Sequence, residues 1–294
     1  MELITNKIIE ERPKLSKQSI KTYTSILKNL YLKVFKTDDY DIDKFDETSK
    51  ILEHLNSLEP NKRKTILSAL VILTDKKEYR DQMLKDIQSY NDVQHTQEKT
   101  DKQNDSWVDG TEIKSILKKL ETDAKYIYSK SDVTSSDLQT VQNYIILCLL
   151  GGVYIPPRRS KDYVDFKIKN IDKEKDNYLQ GTKLIFNSYK TAKTYGQQEL
   201  DIPVKLRKIL KRWLSINPTD YLLFDIKHHK LSNVQLTQRL NRLFDHKKVS
   251  SNALRHTYLS EKYQSTIKAN DDMAKDMAKM GSSTIQEKIY IKKL

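Results

Sequence analysis

Cysteine is almost missing from this 294-residue sequence: Cys148 stands alone, inside an apolar stretch. A single thiol excludes a disulfide framework and a cysteine metal cluster, and its apolar setting marks it as core filler rather than a nucleophile. Glycine and proline are scarce as well, with six of each. That scarcity points to a mostly helical chain with few tight turns. Long hydrophobic runs are lacking. The longest, residues 144–155, contains Gly151-Gly152 and spans 12 residues, too short for a bilayer and suited to a buried core helix. The first residues, Met1 to Lys7, hold no apolar signal core. With a mean hydropathy of −0.72, the expectation is a soluble intracellular protein with no membrane span.

What the sequence has is positive charge. Lysine and arginine number 53 against 40 acidic residues, a formal net charge of +13. An excess of this size favours a polyanion partner, nucleic acid first and an acidic membrane surface second.

Apolar spacing divides the chain into helices. Ser16 offers a cap ahead of Ile20, Tyr23, Ile26, Leu27, Leu30, Tyr31 and Val34, which share one face. Further helices are expected over residues 46–58, 60–75 and 78–90. Residues 91–106 hold one apolar residue and read as a linker between a helical domain, 1–90, and a second domain, 107–294. In the second domain the pattern predicts helices over 111–120 and 138–150, closed by Pro156-Pro157. Short β-like runs follow at 166–168, 183–186 and 199–202, the last two flanking a polar loop with Lys190 and Lys193. Helices are expected again at 204–214, 234–244, 251–264, 272–280 and 284–291.

A set of polar residues is spread over this second domain in a telling order. It reads Arg159, Asp162, Lys190, Asn252-Ala253-Leu254-Arg255-His256, Met280-Gly281-Ser282 and Tyr290. Two arginines can hold the equatorial oxygens of a phosphodiester and stay charged at any physiological pH. A lysine can protonate a leaving 5′-oxygen, and a tyrosine can attack phosphorus and hold it covalently. No carboxylate cluster accompanies them, so this chemistry calls for no metal and no cofactor.

The ordered set resembles the tyrosine recombinase (phage-type integrase) family over residues 107–294. Arg159-Ser160-Lys161-Asp162 matches the family's arginine with an acidic residue three positions later; Arg158 competes, but has Lys161 at the acidic position. Lys190 matches the hairpin lysine, with Lys193 as the alternative. Arg255 and His256 match the His-x-x-Arg-His block, in which Asn252 replaces the first histidine. Ser282 replaces the histidine of Leu-Gly-His, and Tyr290 stands at the nucleophile's place. His256 reads equally as a base or as a hydrogen-bonding support, and Asp162 as an orienter of Arg255 or of the local fold. The double proline resembles integrases of eukaryotic DNA viruses and virophages.

The resemblance implies a mainly α fold with a small antiparallel β-sheet, the family's catalytic domain preceded by a helical core-binding domain. It implies double-stranded DNA as partner, a homo-tetramer on two sites, and cleavage and rejoining through a 3′-phosphotyrosine. The sequence stops four residues after Tyr290, so a tetramer contact there is expected to be short or to come from elsewhere. A type IB topoisomerase shares these residues. A relative weakened in catalysis by Asn252 and Ser282 would keep DNA binding.

Overall fold

The computed structural model describes residues 2–279. The chain divides into two compact units, residues 1–98 and 99–294.

The first unit is helical: α1 (Glu2–Glu11), α2 (Lys17–Phe35), a 3₁₀ turn (Ile42–Asp46), α3 (Thr48–Leu55), α4 (Pro60–Thr74) and α5 (Lys77–His95). Ser16 starts α2, its hydroxyl accepting from the Ser19 amide, and Pro60 opens α4, where its missing N–H costs nothing. Leu27, Leu30, Tyr31, Leu67 and Leu70 form the core with Phe45 and Tyr79. Helix α1 went unread in the sequence, yet Ile4 and Ile8 are fully buried in this core. The Tyr31 hydroxyl donates to Asp39 O and accepts from Asp41 N, so one buried ring holds the loop after α2.

One ion pair joins α4 to α5. Arg63 donates from Nε and Nη2 to both oxygens of Asp86, at 2.8 and 2.6 Å. Asp86 is buried. Burial pushes its pKa up, but the hydrogen bonds from Arg63 and Gln82 outweigh this and leave it below the ordinary value.

The second unit holds α6 (Asp101–Ser106), α7 (Gly110–Ile127), α8 (Ser135–Leu150), α9 (Ser160–Val164), β1 (Phe166–Lys167), β2 (Asn177–Gln180) and β3 (Lys183–Phe186). There follow α10 (Ala192–Tyr195), β4 (Gln198–Asp201), α11 (Val204–Ile216), α12 (Asn233–Leu243) and α13 (Ser251–Lys279). Helix α8 is apolar on almost every side and runs through the core. Its one buried amide, Gln142, is satisfied at both ends by the backbone of Phe224. Among the described residues no helix is long and apolar enough to cross a membrane.

Three expectations are corrected. The sheet, in order β1-β2-β3-β4, is mixed rather than wholly antiparallel, because β1 and β2 run parallel. Strand β2 was hidden by its shortness and by the charged residues 172–176 before it. Residues 251–264 and 272–280 were expected as separate helices, yet α13 is continuous to Lys279. The polar residues between them are weak helix formers but not breakers, and no Gly or Pro interrupts the run. The expected linker is helical at both ends: α5 extends to His95, and a capping box of Thr100 and Gln103 starts α6. The expected helix over 284–291 lies outside the described residues.

Replacing Asp86 with Ala strands a part-buried arginine and should cost about 3 kcal/mol in urea denaturation at pH 7. The folded carboxylate has a lowered pKa, so its stabilisation is present above the ordinary carboxylate value and lost as pH falls through the folded one. The gap between wild type and variant should therefore narrow below about pH 4.

Candidate active site

The arginine turn that sets up the site lies between α8, which ends at Leu150, and the one-turn helix α9. The chain leaves the core at Ile155, and Arg159 is the N-cap residue of the one-turn helix α9. Its extended backbone turns the chain so that Asp162 faces inward, 1% exposed. Ser160 then ties this arginine turn to the start of α13, donating to Ser251 Oγ at 2.8 Å. One turn along α13 comes Arg255.

The result is a cleft of about 300 Å³ lined by Arg158, Arg159, Asp162, Tyr189, Gln198 and Arg255, among others. Residues far apart in sequence thus meet in one place. Among the described residues Asp162 is the only carboxylate lining it, and its Oδ2 is taken by Arg158 Nε at 2.9 Å. Oδ1 is buried and has no hydrogen-bond partner among the described residues. Burial pushes the Asp162 pKa up, while Arg158, Arg159 and Arg255 pull against it. Arg255 is pushed the opposite way, mainly by burial and then by the positive charge of Arg159, with Asp162 opposing. A guanidinium remains charged under such pressure, so the cleft holds positive charge in excess.

Arg158, set aside in the sequence for Arg159, has a role of its own. Besides Asp162 it donates to Gln198 Oε1 at 2.9 Å, and its guanidinium lies over the Phe186 ring at 3.9 Å. It therefore clamps the arginine turn to both strands of the β3–β4 hairpin. The i,i+4 spacing of Arg158 and Asp162 was visible in the sequence; Gln198 was not. Asp162 accordingly supports the local fold through Arg158, rather than by bonding Arg255.

Asn177, at the start of β2, was missed entirely. It is fully buried and makes four hydrogen bonds. Nδ2 donates to the carbonyls of Asp162 and Ser188; Oδ1 accepts from the amides of Asn187 and Ser188. All four lie between 2.8 and 2.9 Å. One side chain therefore fixes the backbone of the arginine turn against the root of the hairpin that carries Lys190.

Lys190 itself is exposed on that hairpin and does not line the cleft; Lys193 is exposed on α10. The loop between them is closed by Tyr189, whose hydroxyl donates to Gly196 O at 2.7 Å. Gly196 has φ of +65°, a conformation that suits glycine.

On α13, Asn252, Arg255 and His256 form a short chain of contacts. Arg255 Nη1 donates to Asn252 Oδ1 at 3.4 Å, and Asn252 Nδ2 lies 3.1 Å from His256 Nε2. The residue standing where the family has a histidine thus bridges the arginine and the remaining histidine. Ser282 and Tyr290 lie outside the described residues. Among those described, no group of three or more His, Cys, Asp or Glu is placed to hold a metal ion.

Asn177→Ala would orphan the backbone groups it serves, and the variant should lose about 3 kcal/mol in chemical denaturation. Arg158→Met keeps the stacking over Phe186 but removes both donors, and should loosen the hairpin. Faster amide exchange at residues 187–197, with the first unit unchanged, is the expected result.

No family model matches the chain, and no curated protein matches it. Among solved structures it is similar to a lambda integrase (75–356) dimer bound to a COC′ core site, with 11% identity, a TM-score of 0.47 and coverage of 91% of this chain and 90% of that one. It is also similar to the XerH site-specific recombinase bound to difH substrate in a pre-cleavage complex, with 14% identity, a TM-score of 0.41 and coverage of 89% and 84%.

Proposed function

We propose that this chain is a tyrosine-type site-specific DNA recombinase. It would cut and rejoin strands through a covalent 3′-phosphotyrosine at Tyr290, without metal. The observation that carries this reading is the meeting of Arg159 and Arg255 in one cleft where the only lining carboxylate among the described residues is already held by Arg158. Two neighbouring guanidiniums without a carboxylate partner of their own repel each other. A tetrahedral phosphate with two non-bridging oxygens relieves that repulsion and satisfies both forks.

In this scheme the Tyr290 oxygen attacks phosphorus, the bond to the 5′-oxygen breaks, and Lys190 supplies the leaving oxygen with a proton. Rejoining reverses each transfer: a 5′-hydroxyl attacks, its proton returns to Lys190, and the tyrosine leaves. Bond energy is kept in the phosphotyrosine, so no external energy source enters. Lys190 has to move from its exposed position to reach the cleft, and the hairpin is the element that would carry it. His256 would be the group that receives the tyrosine proton, with Asn252 releasing Nε2 for it. With Asn252 and Ser282 in place of histidines, cleavage should be slow.

Residues 1–90 would serve as the core-binding domain and 107–294 as the catalytic domain, joined through 91–106. Four copies would act on two duplex sites. Phosphate contacts would then supply much of the affinity and make it steeply salt-dependent.

Covalent trapping tests this reading. The protein and its Tyr290→Phe variant are incubated without Mg²⁺ with nicked duplexes from the ends of its own genetic element. A DNA-linked band on a denaturing gel is expected for the wild type only. Arg159→Ala and Arg255→Ala should each lower the rate of adduct formation about 10²–10³-fold while DNA is still bound. Binding without any adduct in the wild type would sink the catalytic reading. Supercoil relaxation by a monomer without strand exchange would select a type IB topoisomerase.

A further inference from the structure

A second cleft in the same unit shares no residue with the first. It has a volume of about 900 Å³ and lies among α8, the turn after Phe224 and α12. Arg239 lines it and is 8% exposed. Its Nη2 donates to the Phe224 carbonyl at 3.2 Å and to Gln139 Oε1. Its Nη1 is buried with no hydrogen-bond partner among the described residues. Arg239 also forms no ion pair among them. Burial drives its pKa down to about 10, Arg242 lowers it further, and Asp225 opposes. Asp225 lines the same cleft but forms no ion pair with Arg239; its Oδ1 accepts from the amides of Lys227 and His229.

A buried charge held only by neutral acceptors is a costly arrangement, and an apolar side chain of similar size would be the more stable choice at such a place. The rest of the cleft is built in the same sense. Lys227 and Arg242 add positive charge, and Asn143, Gln235 and Gln238 add amide groups. Against the one carboxylate among the described lining residues, Asp225, stand Arg239, Arg242 and Lys227, so positive charge is in excess there.

We propose that this cleft binds a phosphate group, with Arg239 as its buried counter-charge. The phosphate oxygen would take the place of Gln139 Oε1 at the guanidinium, exchanging a neutral acceptor for a charged one. Turning Gln139 aside would also open Nη1. The site does not depend on the strand-transfer reading, and it serves equally for a free phosphate compound or for a phosphodiester of a nucleic acid.

Thermal unfolding of the full chain at constant ionic strength tests this, with sodium phosphate or pyrophosphate replacing chloride. Wild type should show a saturable rise in Tm of several degrees, as ligand binding to the folded state requires. Arg239→Met should lose that rise while melting no lower than wild type in chloride. Arg242→Gln changes an exposed residue, keeps the fold, and should shrink the rise even if the Met variant fails to fold. Equal rises in all three proteins would overturn the proposal, since phosphate would then act only as a general stabilising salt. So would a smaller Tm in chloride for Arg239→Met with the phosphate response intact, which marks Arg239 as structural. A DNA arm separates the two sources. If a duplex abolishes the phosphate response and Arg239→Met lowers the salt slope of DNA binding by about one, the ligand is a phosphodiester. If DNA binding is unchanged in the variant, the ligand is a free phosphate compound. Loss of the covalent adduct in trapping would leave all of these outcomes readable.

Discussion

The site depends on a single buried amide. Asn177 holds the carbonyl of Asp162 and three backbone groups of the hairpin root, and among the described residues no other side chain joins those two segments through so many bonds. Placement of Arg159 and Arg255 follows from it. The arginine turn is fixed against the sheet by Asn177 and against α13 by the Ser160–Ser251 contact. Neither contact involves a charged group; the Arg158 clamp to Asp162 and Gln198 adds to them. Electrostatics alone would drive the three arginines apart.

Charge enters as a second layer. Asp162 meets only part of the positive excess, and Arg158 uses its one bonded oxygen. What remains is a scaffold rigid enough to keep two guanidiniums together in the absence of an anion. Such preorganisation moves the work of assembling charge into folding, where hydrophobic burial around α8 supplies it, and out of the chemical step. The Arg239 cleft also gathers positive charge, with one arginine buried and a second, Arg242, exposed at its edge, and with amides where the first has aromatic rings.

Much of the fold could be read from spacing. The stripe from Ile20 to Val34 and the run around Cys148 gave α2 and α8 because burial imposes its period on the sequence. Short elements escaped. Strand β2 offers four residues, Asn-Tyr-Leu-Gln, too few for a period to show, and α6 is marked only by its cap. In the site, the arginines and Asp162 were legible because their chemistry restricts residue type. Asn177 and Gln198 were not, since an amide is ordinary on a surface and only its burial, a property of the folded chain, gives it a role. Arg158 lay between: its spacing to Asp162 was in plain view, but which of two adjacent arginines faces inward is decided by the turn.

The continuous helix α13 has a mechanical meaning. At about 1.5 Å per residue its 29 residues make a stiff rod of about 43 Å. It is pinned near its first third, where the Thr257 hydroxyl donates to Val108 O and the Glu261 carboxylate accepts from Gly110 N. Arg255 thus sits on a span of the rod held at both ends, by Ser251 before it and by Thr257 and Glu261 after it, so its backbone has little room to shift when an anion arrives.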